Sequence, residues 1–113
     1  MAERLSFVKK IVHEYIKILA TKGIRVERVI LYGSYARGKE RKDSDIDIII
    51  IAKDLKKINF PERLGFLSQA TLRIKAPLEV IGYTPDEVKD KRGKSVFWDE
   101  ITSTGKEVYK IAA

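Results

Sequence analysis

Apolar positions in the first part of the chain recur every three or four residues, with charged residues between them. This period places them on one face of a helix, so we predict an amphipathic helix over residues 3–22. Gly23 follows directly and is expected to cap the helix in the left-handed conformation. The positions expected to face the core are Leu5, Val8, Val12, Tyr15 and Leu19.

Two short apolar runs near the middle of the chain have the composition of β-strands. Residues 26–32, VERVILY, are rich in β-branched side chains and are followed by a glycine, which predicts the first strand. Residues 46–52, IDIIIIA, are almost continuously apolar, which indicates a strand that is buried on both faces and central to its sheet. Between them we expect a short helical turn over residues 34–38 and a charged loop over residues 39–43.

The second half of the chain alternates between helical and strand patterns. A basic connector over residues 53–60 leads to Pro61, which suits the first position of a helix that extends to about residue 75. Residues 78–83, LEVIGY, predict a third strand. The residues expected on the apolar face of the helix are Leu64, Leu67, Ala70, Thr71 and Ile74.

The carboxyl-terminal part of the chain contains shorter elements. Thr84 is expected to cap a short acidic helix over residues 84–87, which is followed by a mobile charged loop over residues 89–94. Residues 96–103 predict a last helix, and residues 106–112 predict an edge strand. We therefore expect residues 1–113 to form one α/β or α+β domain with a small sheet of three to four strands.

Composition limits the chemistry that the chain can perform. There is no cysteine, which excludes disulfides, thiolate metal sites and cysteine nucleophiles. The single histidine, His13, lies beside the apolar stripe of the first helix and is expected at the surface or its boundary. A bound metal would then have oxygen ligands, which favours Mg²⁺ or Mn²⁺.

The sequence contains no segment with the features of a membrane or secreted protein. No apolar run approaches the roughly 20 residues of a membrane span, and the amino terminus lacks the apolar core of a secretion signal. We therefore expect a cytoplasmic protein that does not associate with a membrane. Side-chain amides are limited to Asn59 and Gln69 while Lys, Glu and Ile are abundant, which suggests a thermophilic source.

The chain is basic, with 23 Lys and Arg residues, 16 Asp and Glu residues and a net charge of +7. A basic surface favours anionic partners such as nucleotides, nucleic acid or an acidic protein, although solubility alone would also explain the charge. Composition by itself therefore leaves the partner open.

Two aspartates at the start of the second strand are candidate metal ligands. Asp45 and Asp47 are two residues apart, so on a strand they share a face with Cα atoms about 6.6 Å apart. Carboxylates at this separation repel each other. One divalent cation, or a pair of them, can neutralise this repulsion. The alternative is that they form a solvated strand end.

The glycine–serine pair after the first strand is a candidate anion site. Gly33 allows the backbone to approach a phosphate group, and a helical turn after it would present free N–H groups. The Ser34 hydroxyl adds a donor, and Arg37 lies one turn later, where its guanidinium can contact phosphate oxygens. A purely structural turn is the alternative.

These signals combine into one recognisable pattern in which a strand, Gly-Ser, a basic loop and Asp-x-Asp lead into a buried strand. The positions that carry it are Gly33, Ser34, Ala36, Arg37, Gly38, Ser44, Asp45 and Asp47. The pattern resembles the signature of the DNA polymerase β-like nucleotidyltransferase superfamily. The short chain is similar to the minimal nucleotidyltransferases, whose genes often neighbour those of HEPN-domain proteins.

The resemblance implies a small mixed β-sheet with helices packed mainly on one face. It also implies a third carboxylate from a later strand, for which Glu79 is the candidate. The alternative for Glu79 is an edge-strand charge. Many members of the superfamily carry aspartate at this position, and the longer glutamate changes the reach of the group toward a metal.

A mechanism follows from the resemblance. Asp45, Asp47 and Glu79 are expected to be catalytic and to ligate two Mg²⁺ ions, with Mn²⁺ as the other candidate. Gly33, Ser34, Arg37 and Ser44 are expected to bind the nucleoside triphosphate, ATP. The resemblance further implies transfer of AMP to a hydroxyl group of a HEPN-type toxin, so that the chain acts as an antitoxin.

Two other functions remain open from the sequence. The first is a non-catalytic antitoxin that binds a HEPN ribonuclease directly, with Phe97 and Trp98 as candidate anchors unless Trp98 belongs to the core. The second is a basic nucleic-acid-binding domain, which the lack of aromatic residues among the charges disfavours. A homo-oligomer is also compatible with the sequence. The basic clusters are Arg37, Lys39, Arg41 and Lys42, and Lys89, Lys91, Arg92 and Lys94.

Overall fold

A four-stranded sheet lies at the centre of the structure, a computed structural model that describes the backbone of residues 2–112 and the side chains of residues 4–112. The strands are β1 (Arg28–Tyr32), β2 (Ile46–Ile51), β3 (Leu78–Tyr83) and β4 (Lys106–Lys110), in the spatial order β3-β2-β1-β4. β2 is antiparallel to β1 and parallel to β3, and β4 is antiparallel to β1. The sheet is therefore mixed, and it confirms β2 as an interior strand and β4 as an edge strand.

The helices cover both faces of the sheet unequally. The helices of the described residues are α1 (Ala2–Thr21), α2 (Phe60–Ala70), α3 (Pro85–Lys91) and α4 (Val96–Thr104), and short 3-10 turns span Lys53–Lys57 and Thr71–Arg73. The longer α1 and α2 contribute to the larger core on one face, and the shorter α3 and α4 contribute to a smaller core on the other. This arrangement confirms the predicted α+β fold with helices mainly on one face.

Alternation along β2 decides which residues face each core. Ile46, Ile48 and Ile50 are buried in the larger core, whereas Ile49 and Ile51 are buried in the smaller one. The run of isoleucines is thus buried on both faces, as its unbroken apolar pattern predicted. Because strand side chains alternate, Asp47 lies on the face of the smaller core, in phase with Ile49.

Helix α1 matches the sequence prediction closely. Its stripe is buried from Val8 to Leu19, and the Tyr15 hydroxyl donates a hydrogen bond of 2.8 Å to the carbonyl oxygen of Leu67 in α2. Gly23 has a φ of 85°, and the Ile24 N–H donates to the Leu19 carbonyl oxygen, so the helix ends at the predicted glycine cap. None of the helices in residues 2–112 has the length and apolar character needed to cross a bilayer.

Helix α2 is shorter than predicted, and one residue of its predicted apolar face was assigned wrongly. The α-helix ends at Ala70 and tightens into a 3-10 turn, after which Ile74 reaches the core from extended backbone. Leu64 was expected in the core but is 57% exposed, because Arg63 occupies the inward-facing position beside it. Arg63 is only 3% exposed, and hydrogen bonds satisfy its guanidinium there.

The charged loop was predicted to begin at residue 89, but a helix continues past that position. Helix α3 continues to Lys91, one turn beyond the predicted end at residue 87. Thr84 and Glu87 form a reciprocal capping box that fixes the first turn, and burial of Val88 anchors the second. The predicted strand ends at residues 26, 52 and 112 also lie one or two residues beyond the observed strands.

Candidate active site

The register between β2 and β3 brings two of the predicted site carboxylates together. The strands are parallel and pair Asp47 directly with Glu79. Both side chains lie on the face of the smaller core, and the two carboxyl groups are close enough to share a hydrogen bond. Asp47 is half-buried, whereas Glu79, on an edge strand, is exposed to solvent. The third strand therefore brings Glu79 beside Asp47, and its role as a metal ligand remains a prediction.

The electrostatics of Asp47 reflect this crowding. Burial, the hydrogen bond and charge of Glu79, and the charge of Asp45 raise the pKa of Asp47 to about 6. The shift means that a second negative charge is unfavourable beside Glu79 unless a proton or a cation neutralises the pair. A divalent cation would stabilise the form in which both carboxylates are ionised.

Asp45 lies near this pair without completing a ready-made metal cluster. It precedes β2 and is exposed, and its charge acts on Asp47. In the described part of the chain, no three acidic or histidine side chains converge closely enough to form such a cluster. Because Asp45 is exposed, its side chain can turn toward the pair without displacing packed groups. The donor set contains only carboxylates, which fits Mg²⁺ or Mn²⁺.

Gly33 packs directly against the Asp47 carboxylate. Its φ of 75° lies in the left-handed region, and a Cβ atom there would collide with Oδ2 of Asp47 and lie 3.3 Å from its Cγ. Glycine is therefore favoured for two independent reasons, the left-handed backbone conformation and the space that the Asp47 carboxylate occupies. This contact connects the glycine–serine turn to the acidic pair. It gives a structural explanation for a glycine at position 33 that the sequence interpretation did not include.

The segment after Gly33 forms one hydrogen-bonded turn. The Arg37 N–H donates to the Gly33 carbonyl oxygen at 3.2 Å, and the Lys39 N–H donates to the Ser34 carbonyl oxygen at 2.9 Å. Among residues 2–112, no backbone carbonyl accepts a hydrogen bond from the N–H groups of residues 34–36, which open the turn. A turn start of this kind can bind an anion, and the half-buried Ser34 lies at its beginning. The predicted triphosphate contact remains a prediction.

Arg37 projects from the same turn toward a small recess. Its side chain is exposed and lines a cavity of about 110 Å³ together with Gly33, Tyr32 and the α4 residues Phe97 and Glu100. The phenyl ring of Phe97 contacts the Tyr32 ring edge-on, with centroids 6.1 Å apart. Phe97 is 48% exposed whereas Trp98 is 2% exposed, so of the two candidate anchors Trp98 is a core residue.

Tyr32 is a site residue that sequence reasoning did not identify. It ends β1 and pairs in register with Asp47. Burial, followed by the charges of Asp47, Glu79 and Tyr83, raises the pKa of Tyr32 to about 12, so the hydroxyl remains protonated beside the acidic pair. The sequence assigned it to the first strand, but the register with β2 could not be read from the pattern.

Ser44 and Glu40 shape the loop between the turn and the aspartates. The Ser44 hydroxyl accepts a 2.6 Å hydrogen bond from the Arg41 N–H, and the Ser44 N–H donates to the Arg41 carbonyl oxygen at 3.0 Å. Glu40 lies 3.5 Å from Nη1 of Arg4, which ties the loop to α1. Ser44 thus folds the loop locally, and its predicted contact with a nucleotide remains a prediction.

The mixed sheet, the glycine–serine turn and the acidic pair define a nucleotidyltransferase class of fold and site. The chain belongs to the polymerase beta nucleotidyltransferase family, whose model matches residues 13–112.

Similar proteins carry provisional names from this class. A protein of Methanocaldococcus jannaschii, provisionally named protein adenylyltransferase MJ0141, is 32% identical over 85 residues, which is 74% of this chain and 80% of that protein. A second one, MJ1379, is 40% identical over 63 residues, which is 56% of this chain and 59% of that protein.

Solved structures support the fold. A Sulfolobus solfataricus crystal structure, provisionally named a nucleotidyltransferase, aligns with a TM-score of 0.59 and 26% identity over 96% of this chain and 82% of that one. A toxin-antitoxin structure with AMP-PNP aligns with a TM-score of 0.55 and 22% identity, over 91% of this chain and 73% of that one. At that identity the second match shows a shared fold.

Proposed function

We propose that this chain is a divalent-metal-dependent nucleotidyltransferase that transfers AMP from ATP to a hydroxyl group of a protein, and that it acts as an antitoxin on a HEPN-type toxin. The observation that carries the proposal is the Asp47–Glu79 carboxyl pair packed against the Gly33 turn. The names of the M. jannaschii relatives and the fold of the toxin-antitoxin structure support the protein acceptor.

The acidic residues would hold the metal. Asp45 before β2, Asp47 in β2 and Glu79 in β3 would supply the carboxylate oxygens. Bound Mg²⁺ or Mn²⁺ supplies Lewis-acid stabilisation of charge on phosphate oxygens and lowers the pKa of a coordinated hydroxyl group. Gly33 leaves room for the Asp47 carboxylate because it has no side chain.

The residues of the turn would bind and orient the triphosphate. Free N–H groups of residues 34–36 and the Ser34 hydroxyl donate to phosphate oxygens, and the exposed Arg37 guanidinium offsets their charge. The acceptor oxygen attacks the α-phosphorus and pyrophosphate leaves. Glu79, which is exposed on its edge strand, would take the proton from the acceptor hydroxyl.

The exposure of the site favours a macromolecular acceptor. Glu79 lies on an edge strand and Asp45 precedes an interior strand, and both side chains are exposed to solvent. A hydroxyl group on the surface of another protein can therefore approach the acidic pair from outside. Half-exposed Phe97 beside the recess adds apolar surface that a protein partner can cover.

Transfer of label from ATP tests this proposal. The purified chain is incubated with α-labelled ATP, Mg²⁺ and the product of the adjacent gene, and labelled protein and pyrophosphate are measured. We expect label on the partner with the wild type and none with Asp47→Asn. The matched control Asp43→Asn changes an exposed aspartate of the preceding loop and should keep the activity. Equal labelling by Asp47→Asn and wild type would refute the assignment.

A non-catalytic antitoxin is the second candidate function. It is favoured by the half-exposed Phe97, which offers apolar surface beside the recess. The Asp47→Asn variant separates the two functions, because a purely binding antitoxin protects cells from the toxin without that carboxylate. Protection by Asp47→Asn equal to that of the wild type would favour the binding function, and loss of protection with an intact complex would favour catalysis.

A further inference from the structure

An apolar groove runs along the outer side of β3, away from the acidic pair. It is lined by Phe60, Arg63, Leu64, Ile81, Gly82 and Tyr83 and has a volume of about 280 Å³; we call it the Phe60 groove. Phe60 and Leu64 are 49% and 57% exposed, and they lie one turn apart at the start of α2. Two large apolar side chains exposed beside a concave surface are typical of a site that another chain covers.

The groove is preorganised by ring and cation contacts. The Phe60 ring stacks on Tyr83, with centroids 5.7 Å apart and an angle of 25° between the planes. The Arg63 guanidinium lies 5.4 Å from the centre of the Phe60 ring, and Lys91 Nζ lies 4.8 Å from that of Tyr83. Phe60 is therefore held in one orientation although half of it is exposed, which lowers the entropic cost of binding a partner.

The rim of the groove is basic. An adjoining cavity of about 480 Å³ shares Phe60 and Tyr83 with the groove and is also lined by Lys91 and Lys94. The two acidic groups of that cavity are Glu87, which is paired with Arg63 at 2.7 Å, and Asp90. The segment over residues 89–94 carries four basic residues and one acidic residue. The rim therefore complements acidic residues of a partner.

The groove lies along β3, and two of its residues, Ile81 and Tyr83, share a face of that strand with Glu79. Glu79, Ile81 and Tyr83 alternate with the inward-facing residues of β3 and share the face of the smaller core. Glu79 and Tyr83 are four residues apart, which corresponds to about 13 Å along a strand. An extended segment that lies beside β3 covers this distance with about four of its own residues.

We propose that the Phe60 groove docks the acceptor protein through an extended segment that carries an apolar side chain and acidic residues. The apolar side chain fills the groove, the acidic residues face Lys91 and Lys94, and the acceptor hydroxyl lies about four residues further along, beside Glu79. This inference rests on the proposed function for the identity of the segment as an acceptor. It adds the surface and the chemistry by which that acceptor is recognised.

Binding of a defined peptide tests the docking surface without requiring catalysis. The probe is a fluorescent peptide in which a leucine flanked by aspartates lies four positions from a single tyrosine, and binding to the full chain is measured by anisotropy at low salt. We expect Leu64→Ser to weaken binding about 10-fold and Lys94→Glu to weaken it by a similar factor that shrinks as salt is added. The control Leu72→Ser changes a leucine that is 80% exposed outside the groove and should bind as the wild type does.

The outcomes separate this inference from the proposed function. Asp47→Asn should bind the peptide normally while losing AMP transfer, which would uphold both proposals. No binding of the peptide to the wild type, or equal binding by Leu64→Ser, Lys94→Glu and wild type, would overturn the docking surface. Retained AMP transfer in Asp47→Asn would instead overturn the catalytic proposal. It would not change what the peptide binding shows about the docking surface. Melting curves of Leu64→Ser and Lys94→Glu are expected to match the wild type, since both side chains are exposed.

Discussion

The Asp47 carboxylate occupies the space that a side chain on Gly33 would need. The turn proposed to bind phosphate and the strand proposed to bind metal are therefore in contact through one glycine. A residue with a Cβ atom at position 33 would force the Asp47 carboxylate or the backbone of the turn to shift. The geometry of the acidic pair thus depends on a residue that carries no functional group.

Gly33→Ala should abolish AMP transfer. The added Cβ displaces Asp47, and the φ of 75° is unfavourable for alanine by about 1 kcal/mol, so stability also falls. Transfer assays and urea unfolding measure the two effects. The control is Gly65→Ala in α2, where a Cβ meets no atom within 4 Å and helix propensity should raise stability by about 0.5–1 kcal/mol. Full activity of Gly33→Ala would contradict the geometry.

The metal-free protein should lose stability as the pH rises through the titration of Asp47. The pKa of Asp47 is raised to about 6 in the folded state from an ordinary value of 3.8. Between pH 3.8 and 6 the folded state therefore binds more protons than the unfolded state. The free energy of unfolding therefore decreases with rising pH, by about 1 kcal/mol after allowance for solvent screening.

The Asp47→Asn variant isolates this effect from the other carboxylates. It should lack the decrease, and it should be more stable than the wild type at pH 7 in a chelator. Added Mg²⁺ should raise the Tm of the wild type above pH 6 and leave that of the variant unchanged. If the stability of the two proteins changed with pH in parallel, the pKa of Asp47 would not be raised in the folded protein.

Arg37 should contribute to transfer and little to stability. Its side chain is exposed and lines the recess beside Gly33, where it can contact the triphosphate. We expect Arg37→Ala to reduce kcat/KM for ATP by about 10–100-fold, the effect of removing one charge-assisted hydrogen bond, with an unchanged Tm. Arg41→Ala removes an exposed arginine from the same basic loop and serves as the control. Equal losses in both variants would point to a general effect of charge.

Arg63 should be important for stability. It is 3% exposed and donates hydrogen bonds to the carbonyl oxygens of Leu55, Ile58 and Gly82 and to Glu87, which connects α2, β3 and α3. Arg63→Met should lower the free energy of unfolding by about 3 kcal/mol, because the carbonyl oxygens of Ile58 and Gly82 lose the guanidinium donors and Glu87 loses its ion-pair partner. Urea unfolding measures the loss, with the exposed Arg73→Met as the control. A change below about 1 kcal/mol would mean that water or relaxation replaces these bonds.

The sequence predicted the elements well where periodicity determines them. The stripe of α1, its glycine cap and the buried isoleucines of β2 follow from local pattern alone. Leu64 and Arg63 could not be assigned from periodicity. Arg63 faces the interior in place of Leu64 because carbonyl groups of other segments accept hydrogen bonds from it. The second turn of α3 was missed because burial of Val88 is a tertiary contact.

The sequence named several residues that the structure brings together, but it did not give their arrangement. Gly33 and Asp47 were identified by motif, and Glu79 followed from the resemblance to a family. The parallel register that sets Glu79 beside Asp47, and the antiparallel register that adds Tyr32, are properties of strand pairing that no local pattern specifies. The contact between Gly33 and Asp47 depends on the same pairing.

Paramagnetic broadening by Mn²⁺ tests most directly whether the acidic pair holds a divalent cation beside a triphosphate. NMR spectra of the chain are recorded with a non-hydrolysable ATP analogue as Mn²⁺ is added. The structure predicts that signals of Gly33, Asp47, Glu79 and Tyr32 broaden first in the wild type and persist in Asp47→Asn. Broadening centred elsewhere, or equal broadening of these signals in both proteins, would contradict the account.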